Sequence, residues 1–239
     1  MTRATRGEKA ETIRSVDVQE AVRAVRASSR RRQLLDAAVA VMGRTGFHQM
    51  SMQALADEAQ VSVGLFYKYF GGKEEILLAA IVDILETFRD QLTPAMDLAG
   101  DDPVVRLIAG FRQYTTIVDE NRDAVVLTYR ESRTLDADGR ERIKELEVET
   151  SAPMREAITA GMDTGSIQEV DADLAVFDMM MLAHGWALKH WHFAPPAGAQ
   201  RAGRSSAPYE LDTYIGAQLR FLLPALVVPD RLDEYLAQI

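Results

Sequence analysis

An all-α fold is predicted, a small three-helix head followed by a larger helical body. Three observations carry that expectation. Apolar residues recur at three- and four-residue spacing from residue 29 almost to the last residue. Helix-capping residues stand ahead of those stripes, at Ser51, Ser62, Asp102 and Asp171. No apolar–polar alternation of strand length, internal repeat or Gly-rich phosphate loop interrupts them.

The head opens with a helix over 29–45, striped by Leu34, Leu35, Ala38, Val41 and Met42 and ended by the glycines at 43 and 46. Ser51 caps a short second helix with Met52, Leu55, Ala56 and Ala59 on one face. Ser62 caps a third, whose Val63, Phe66 and Phe70 share a face, and Gly71-Gly72 stops it. A long helix over 73–96 follows, with acids in its first turn and a bend or end at Pro94. In the body, Asp102-Pro103 opens a helix to Val118. Further helices are expected over 122–134, over 140–162 with a kink near Pro153, over 171–192, and over 209–226 before a short terminal one. The 194–208 segment holds three prolines and two glycines and reads as a flexible loop. Residues 8–27 carry a looser apolar side, which suits a further helix within a basic N-terminal extension over 1–27.

Two short helices joined by a tight turn, the second carrying small, aromatic and basic groups, suit entry into a DNA major groove. Gly46-Phe47, Leu55-Ala56, Val61-Ser62, Gly64, Phe66-Tyr67, Phe70, Lys73-Glu74 and Ile76-Leu77 stand in order at fixed spacing. Over residues 30 to 80 this run resembles the DNA-binding head of the TetR family of bacterial transcriptional repressors. The resemblance implies a helix-turn-helix DNA-binding domain over 28–75 and a ligand-binding and dimerisation body over 76–239. It also implies a homodimer on a palindromic double-stranded operator, released by a small-molecule effector, with the 171–192 and 209–226 helices pairing with their symmetry mates. By position, Ser51 and Gln53 would touch backbone or a base edge. Val63, Gly64, Leu65 and Lys68 would face bases, with Ser62 at the start of their helix. Tyr67 and Tyr69 would hold phosphates or bases, Lys73 a phosphate, and Arg30, Arg31 and Arg32 would reach the minor groove. Two departures stand out. Gln60 occupies the usual turn glycine, a place that can require positive φ. Leu65 replaces the common small or hydroxylated residue, which would offer thymine an apolar contact.

Charge is divided along the chain. The whole carries −9 over 239 residues, yet residues 1–32 hold nine Arg or Lys against four acids, a balance of +5. The first 75 residues stand at +3 and the remaining 164 at −12, so phosphate would attract one end only. The 47% hydrophobic and 26% charged content is that of an ordinary globular protein. No apolar run approaches the roughly 20 residues that span a bilayer, and no signal-peptide core follows the basic N-terminus. With no cysteine, disulfides and thiolate metal sites are excluded. A cytoplasmic protein with no membrane partner is expected.

Catalytic material is thin: no nucleophile–base pairing is visible, and no metal or cofactor is expected. His190 and His192 are two apart and point to different helix faces, so they cannot chelate as an i, i+4 pair could. With His184, Trp186 and Trp191 they crowd one helix end, open to three readings: aromatic packing, a pocket wall or a metal site. Phe88, Phe111, Tyr114, Tyr129, Met154, Phe177, Met180, Met181 and His184 recur at helical spacing in the body. Such a stripe is either plain core or the lining of an adaptable apolar cavity. The family resemblance implies the cavity, and the stretch from Trp186 resembles members that sense acyl-coenzyme A or lipid-derived molecules. A ligand-independent DNA-binding or architectural protein with a solid body remains an alternative, and an all-α enzyme a second.

Overall fold

The computed structural model describes residues 4–193 and 209–239, with side chains from residue 25 onward. The loop expected over 194–208 lies outside the described residues. Helices account for the described chain, joined by turns and one isolated β-bridge between Ile167 and Val227. No helix among the described residues is long and apolar enough to cross a membrane.

The chain divides into two units, one ending at Ala80 and one beginning at Ile81. In the first, α1 spans Ala4–Thr45, a single helix that absorbs both the expected head helix and most of the extension. Gly43 lies inside it; the stop is Gly46, whose φ of 79° belongs to glycine and whose N–H returns to the Met42 carbonyl at 2.9 Å. The stripe Leu34, Leu35, Ala38, Val41 and Met42 is buried. It faces α2 (Met52–Ala59), which buries Leu55, Ala56 and Ala59. Ser51 Oγ accepts from the Ala54 N–H at 3.0 Å and so caps α2. Gln60 ends it at φ 55°, ψ 46°, the left-handed turn that the sequence assigns to a glycine position. In α3 (Val63–Tyr69), Phe66 alone is fully buried, and Phe70 closes the helix from an extended conformation. Ser62 sits at the N-cap position without capping: its side chain makes no hydrogen bond there.

The next helix, α4 (Lys73–Leu98), begins in the first unit. Pro94 neither ends it nor stands buried; the helix runs four residues further with that ring at the surface. The second unit continues with α5 (Pro103–Glu120), capped by Asp102, which accepts from the Val104 and Val105 N–H groups. After α6 (Arg122–Glu131) comes a 3-10 turn, Ser132–Thr134. Then α7 (Ala137–Asp163) starts earlier than expected because Asp136 caps it through the Gly139 N–H. The Asp136–Gly139 cluster, which in the sequence reads as a break after the 122–134 helix, is thus the start of the next one. Capped by Asp171, α8 (Ala172–Leu188) ends four residues short of expectation, broken at Lys189 before the short α9 (His190–Phe193). Last come α10 (Leu211–Leu226), a 3-10 turn and α11 (Leu232–Leu236). One apolar core runs through α4, α5, α7, α8 and α10, with α5 packed on α7 and α8.

Candidate nucleic-acid interface and effector cavity

The exposed side of the first unit is assembled from α1, α2 and α3. On α3, Gly64, Tyr67 and Lys68 are exposed, Tyr67 at 57%, while Val63, Leu65 and Tyr69 are half-buried. A Cβ added at Gly64 would meet nothing nearer than Ser62 Oγ at 3.9 Å, so the fold itself does not require glycine there. Leu65 and Tyr69 line an open cleft with Arg26, Arg30 and Gln33 of α1. The leucine is therefore turned partly toward α1, where the sequence reading has it facing bases outright.

The other expected contacts divide by what already holds them. Ser51 is exposed; its oxygen accepts the cap, which leaves its O–H to donate outward. The Ser62 hydroxyl is exposed, and Gln53 donates to Asp57 at 2.7 Å. Arg30 is held against Gln33 at 2.7 Å, and the Arg31 guanidinium lies 5.7 Å from the Phe70 ring centre, a cation–π contact within the head. Arg32 is exposed. Lys73 is half-buried and its Nζ donates to the Met50 carbonyl at 2.7 Å, so this ammonium has a structural partner that its expected phosphate contact does not foresee.

The second unit contains a cavity of about 370 Å³, within the usual range for small-molecule sites. Its apolar wall is Ile84, Leu85 and Phe88 of α4, Val125 of α6 and Ile143 of α7. Arg133, Arg140, Lys144 and Glu147 line its other side. Three cations against one acid leave that side positive. Arg140 donates to the Leu135 carbonyl and Lys144 to Glu141 at 2.8 Å, while Arg133 is exposed with no partner among the described residues. Burial against the apolar wall pushes the Glu147 carboxyl above its ordinary value. Thr128, Ser132, Tyr129 and His184 also line it, with the Tyr129 Oη 2.8 Å from Nδ1 of His184.

Of the nine body residues singled out from sequence, Phe88, Tyr129 and His184 line this cavity. Two more stand directly behind it. Tyr114 Oη lies 3.0 Å from His184 Nε2, and the Met181 sulfur lies 3.9 Å from Tyr129 Oη. Phe111 and Met154 are buried in the solid core, and Met180 packs partly against it. Phe177 is a correction: it is 56% exposed and points away from the core, because the buried face of α8 is Val176, Met179, Ala183 and Trp186. The cavity residues that sequence reasoning missed are mainly polar ones on α6, the 3-10 turn after it and α7, whose charge pattern looks like any solvated face.

The crowded end of α8 is aromatic packing at Trp186, stacked on Phe193 at 5.2 Å and donating to Asp119 at 2.6 Å; Trp191 is 66% exposed. Among the described residues no group of His, Asp and Glu is placed to hold a metal ion.

Residues 34–80 match the model for bacterial regulatory proteins of the tetR family, and residues 100–192 match that for the tetracyclin repressor-like C-terminal domain. The HTH-type transcriptional regulator HbdR of Aromatoleum sp. (strain CIB) is 36% identical over 164 residues, 69% of this chain and 71% of that protein. Among solved structures, FadR from Bacillus subtilis in complex with stearoyl-CoA has a TM-score of 0.64 at 21% identity, covering 81% of this chain and 97% of FadR. AibR in complex with isovaleryl coenzyme A and operator DNA has a TM-score of 0.65 at 20% identity, covering 82% of this chain and 98% of AibR.

Proposed function

The chain belongs to the TetR family of bacterial transcriptional regulators, and from that premise we propose that it is a repressor released from its operator by an anionic, largely apolar effector of the acyl-coenzyme A class. The observation that carries the reading is the cavity. An apolar wall of Ile84, Leu85, Phe88, Val125 and Ile143 meets a side bearing Arg133, Arg140 and Lys144. An apolar acyl group matches the first, and the phosphates of a coenzyme A match the second, where guanidinium groups bind them as charged hydrogen-bond donors. Two structural neighbours were solved with such thioesters, one long and one short. A volume of about 370 Å³ favours a short or compact acyl group. The same cavity counts against a solidly packed, ligand-independent architecture.

The regulator acts as a homodimer. Leu174 and Phe177 on α8 and Phe221 on α10 are 62%, 56% and 72% exposed, large apolar groups on the two helices that the family resemblance assigns to pairing. Two-fold symmetry then presents two copies of α3 to a palindromic operator, with half-sites one helical turn or a multiple of it apart. On each head, Lys68, Tyr67 and Gly64 face the groove, Ser51 and Ser62 hold backbone, and the α1 arginines reach toward the minor groove. The effector acts only through unequal affinity for the DNA-bound and released arrangements. The helix available to carry that difference is α4, which bears Lys73 in its first turn and Ile84, Leu85 and Phe88 along the cavity.

The test is fluorescence anisotropy on DNA flanking the chain's own coding region, titrated with isovaleryl-CoA, stearoyl-CoA, free coenzyme A and the free acids. Release by a thioester but not by its separate halves is the expected result. Release by none of them overturns the effector class.

A further inference from the structure

Two tyrosines bracket one imidazole at the cavity wall: Tyr114 Oη is 3.0 Å from Nε2 of His184, and Tyr129 Oη is 2.8 Å from Nδ1. Burial pushes the imidazole down to about 4 and the Tyr129 hydroxyl up to about 12, and it raises Tyr114 well above its ordinary value. Near neutral pH the ring therefore carries one N–H, and both hydroxyls keep their protons. Only two arrangements satisfy both contacts. In the first, Tyr114 donates to Nε2, Nδ1–H donates to the Tyr129 oxygen, and the Tyr129 O–H is left over. In the second, Tyr129 donates to Nδ1, Nε2–H donates to the Tyr114 oxygen, and the Tyr114 O–H is left over.

The surroundings decide between them. Tyr114 is 1% exposed and stacked on Phe88 with ring centres 4.3 Å apart, and among the described residues its hydroxyl has no hydrogen-bond partner but His184. The second arrangement strands its proton in the core, which disfavours that arrangement by roughly tenfold or more. Tyr129 is 45% exposed beside the cavity. Its hydroxyl's other neighbour is the Met181 sulfur at 3.9 Å, a weak acceptor that a better one can replace. The first arrangement wins, and it leaves the Tyr129 O–H as an oriented neutral donor at the cavity.

We propose that the Tyr129 hydroxyl is a donor held ready for the effector, and that the effector presents a neutral carbonyl oxygen to it. This rests on the cavity being the effector site. Within that reading, Arg133, Arg140 and Lys144 select for negative charge, and Tyr129 discriminates among amphiphiles of equal charge. A thioester carbonyl supplies the acceptor; a thioether of the same shape does not.

Nitrogen-15 spectra of histidine-labelled protein at neutral pH read the tautomer directly, with His184 assigned by its loss in His184→Asn. The Nδ1–H form is expected, and the Nε2–H form overturns the donor whatever the effector proves to be. Calorimetric titration supplies the second arm, with isovaleryl-CoA and the matching thioether that lacks the carbonyl oxygen. The wild type should prefer the thioester by about tenfold, and Tyr129→Phe should bind the two alike, with its melting point recorded as a check on the fold. A wild type without the preference, or a preference that survives in Tyr129→Phe, overturns carbonyl recognition. If the wild type binds neither compound, the acyl-CoA reading fails and carbonyl recognition with it, while the tautomer still decides whether the donor exists.

Discussion

The ammonium of Lys73 donates to the Met50 carbonyl at 2.7 Å, fastening the first turn of α4 to the loop that enters α2. Hydrogen bonds to charged groups contribute about 1.5–3 kcal/mol, toward the lower figure here because the side chain is only half-buried. Lys73→Ala should therefore lower the stability of the head by about 1.5 kcal/mol as well as weaken DNA binding. The two effects separate in salt. If Lys73 also neutralises a phosphate, the slope of log affinity against log salt falls by about one unit per head; if it only fastens the loop, the slope stays put while the melting point drops. Thermal melting and anisotropy titrations across a salt series read both.

Gly64 gives the opposite sign of stability change. A methyl group there has open space and replaces a residue of poor helix propensity, so Gly64→Ala should stabilise the free protein by about 0.5 kcal/mol. The same methyl would stand between α3 and the floor of the groove, and operator affinity should fall about tenfold or more. Unchanged DNA affinity in the stabilised variant would show that position 64 does not approach bases.

Phe177 is exposed and lies outside the cavity, which suits the proposed subunit contact better than a ligand contact. Together with Leu174 and Phe221 it leaves large apolar surface open on α8 and α10. Phe177→Glu should shift the protein toward monomer in sedimentation equilibrium while effector binding changes little, because the cavity lies on other residues. A dimer that survives this change together with Phe221→Asp would place the subunit contact elsewhere.

Why the sequence misplaces Phe177 is physical. α8 is apolar all round, so periodicity marks a buried helix without saying which face meets the core and which is left open. Periodicity was sufficient in α1 and α2, where polar residues flank Leu34, Leu35, Leu55 and Ala56 and only one face could be buried. Capping is legible at Ser51, Asp102 and Asp171, whereas the cap at Asp136 is hidden in a cluster that reads as a helix break. Capping fails at Ser62, whose hydroxyl leaves its N-cap position without a side-chain bond and stays available to an outside partner. Pro94 and Pro153 both sit inside continuous helices, since a proline that lacks a donor and stands off the buried face bends a helix that packing elsewhere sustains. The cavity was only half legible. Its apolar wall shares the pattern of ordinary core, and Arg133, Arg140, Lys144 and Glu147 share that of ordinary surface.

His184 should leave a mark on the acid stability of the protein. Burial lowers its folded value from 6.5 to about 4. Between those two values the unfolded chain takes up a proton that the folded ring, set between Tyr114 and Tyr129 and near Glu147, does not. Stability is then highest above pH 6.5, is lost as pH falls toward 4, and levels off below, by up to about 3 kcal/mol. His184→Asn should flatten that part of the curve. Urea titrations of both proteins at several pH values measure the difference, and identical slopes would mean that the ring is already charged or free to reach water.

Ile143 offers the sharpest test of the cavity, because it is 6% exposed and yet borders open volume. Ile143→Trp should put the larger side chain into that volume, keep the fold and DNA binding, and make the protein insensitive to a thioester that releases the wild type. A wall without usable space behind it behaves differently: overpacking costs about 1–3 kcal/mol and does not single out the response to effector. Melting and operator release therefore belong on the same sample. A variant that melts early but still lets go of DNA at the wild-type concentration of isovaleryl-CoA would mean that the effector binds somewhere other than between α4, α6 and α7. A variant that melts normally and holds its operator at every concentration would place the effector against Ile143 itself.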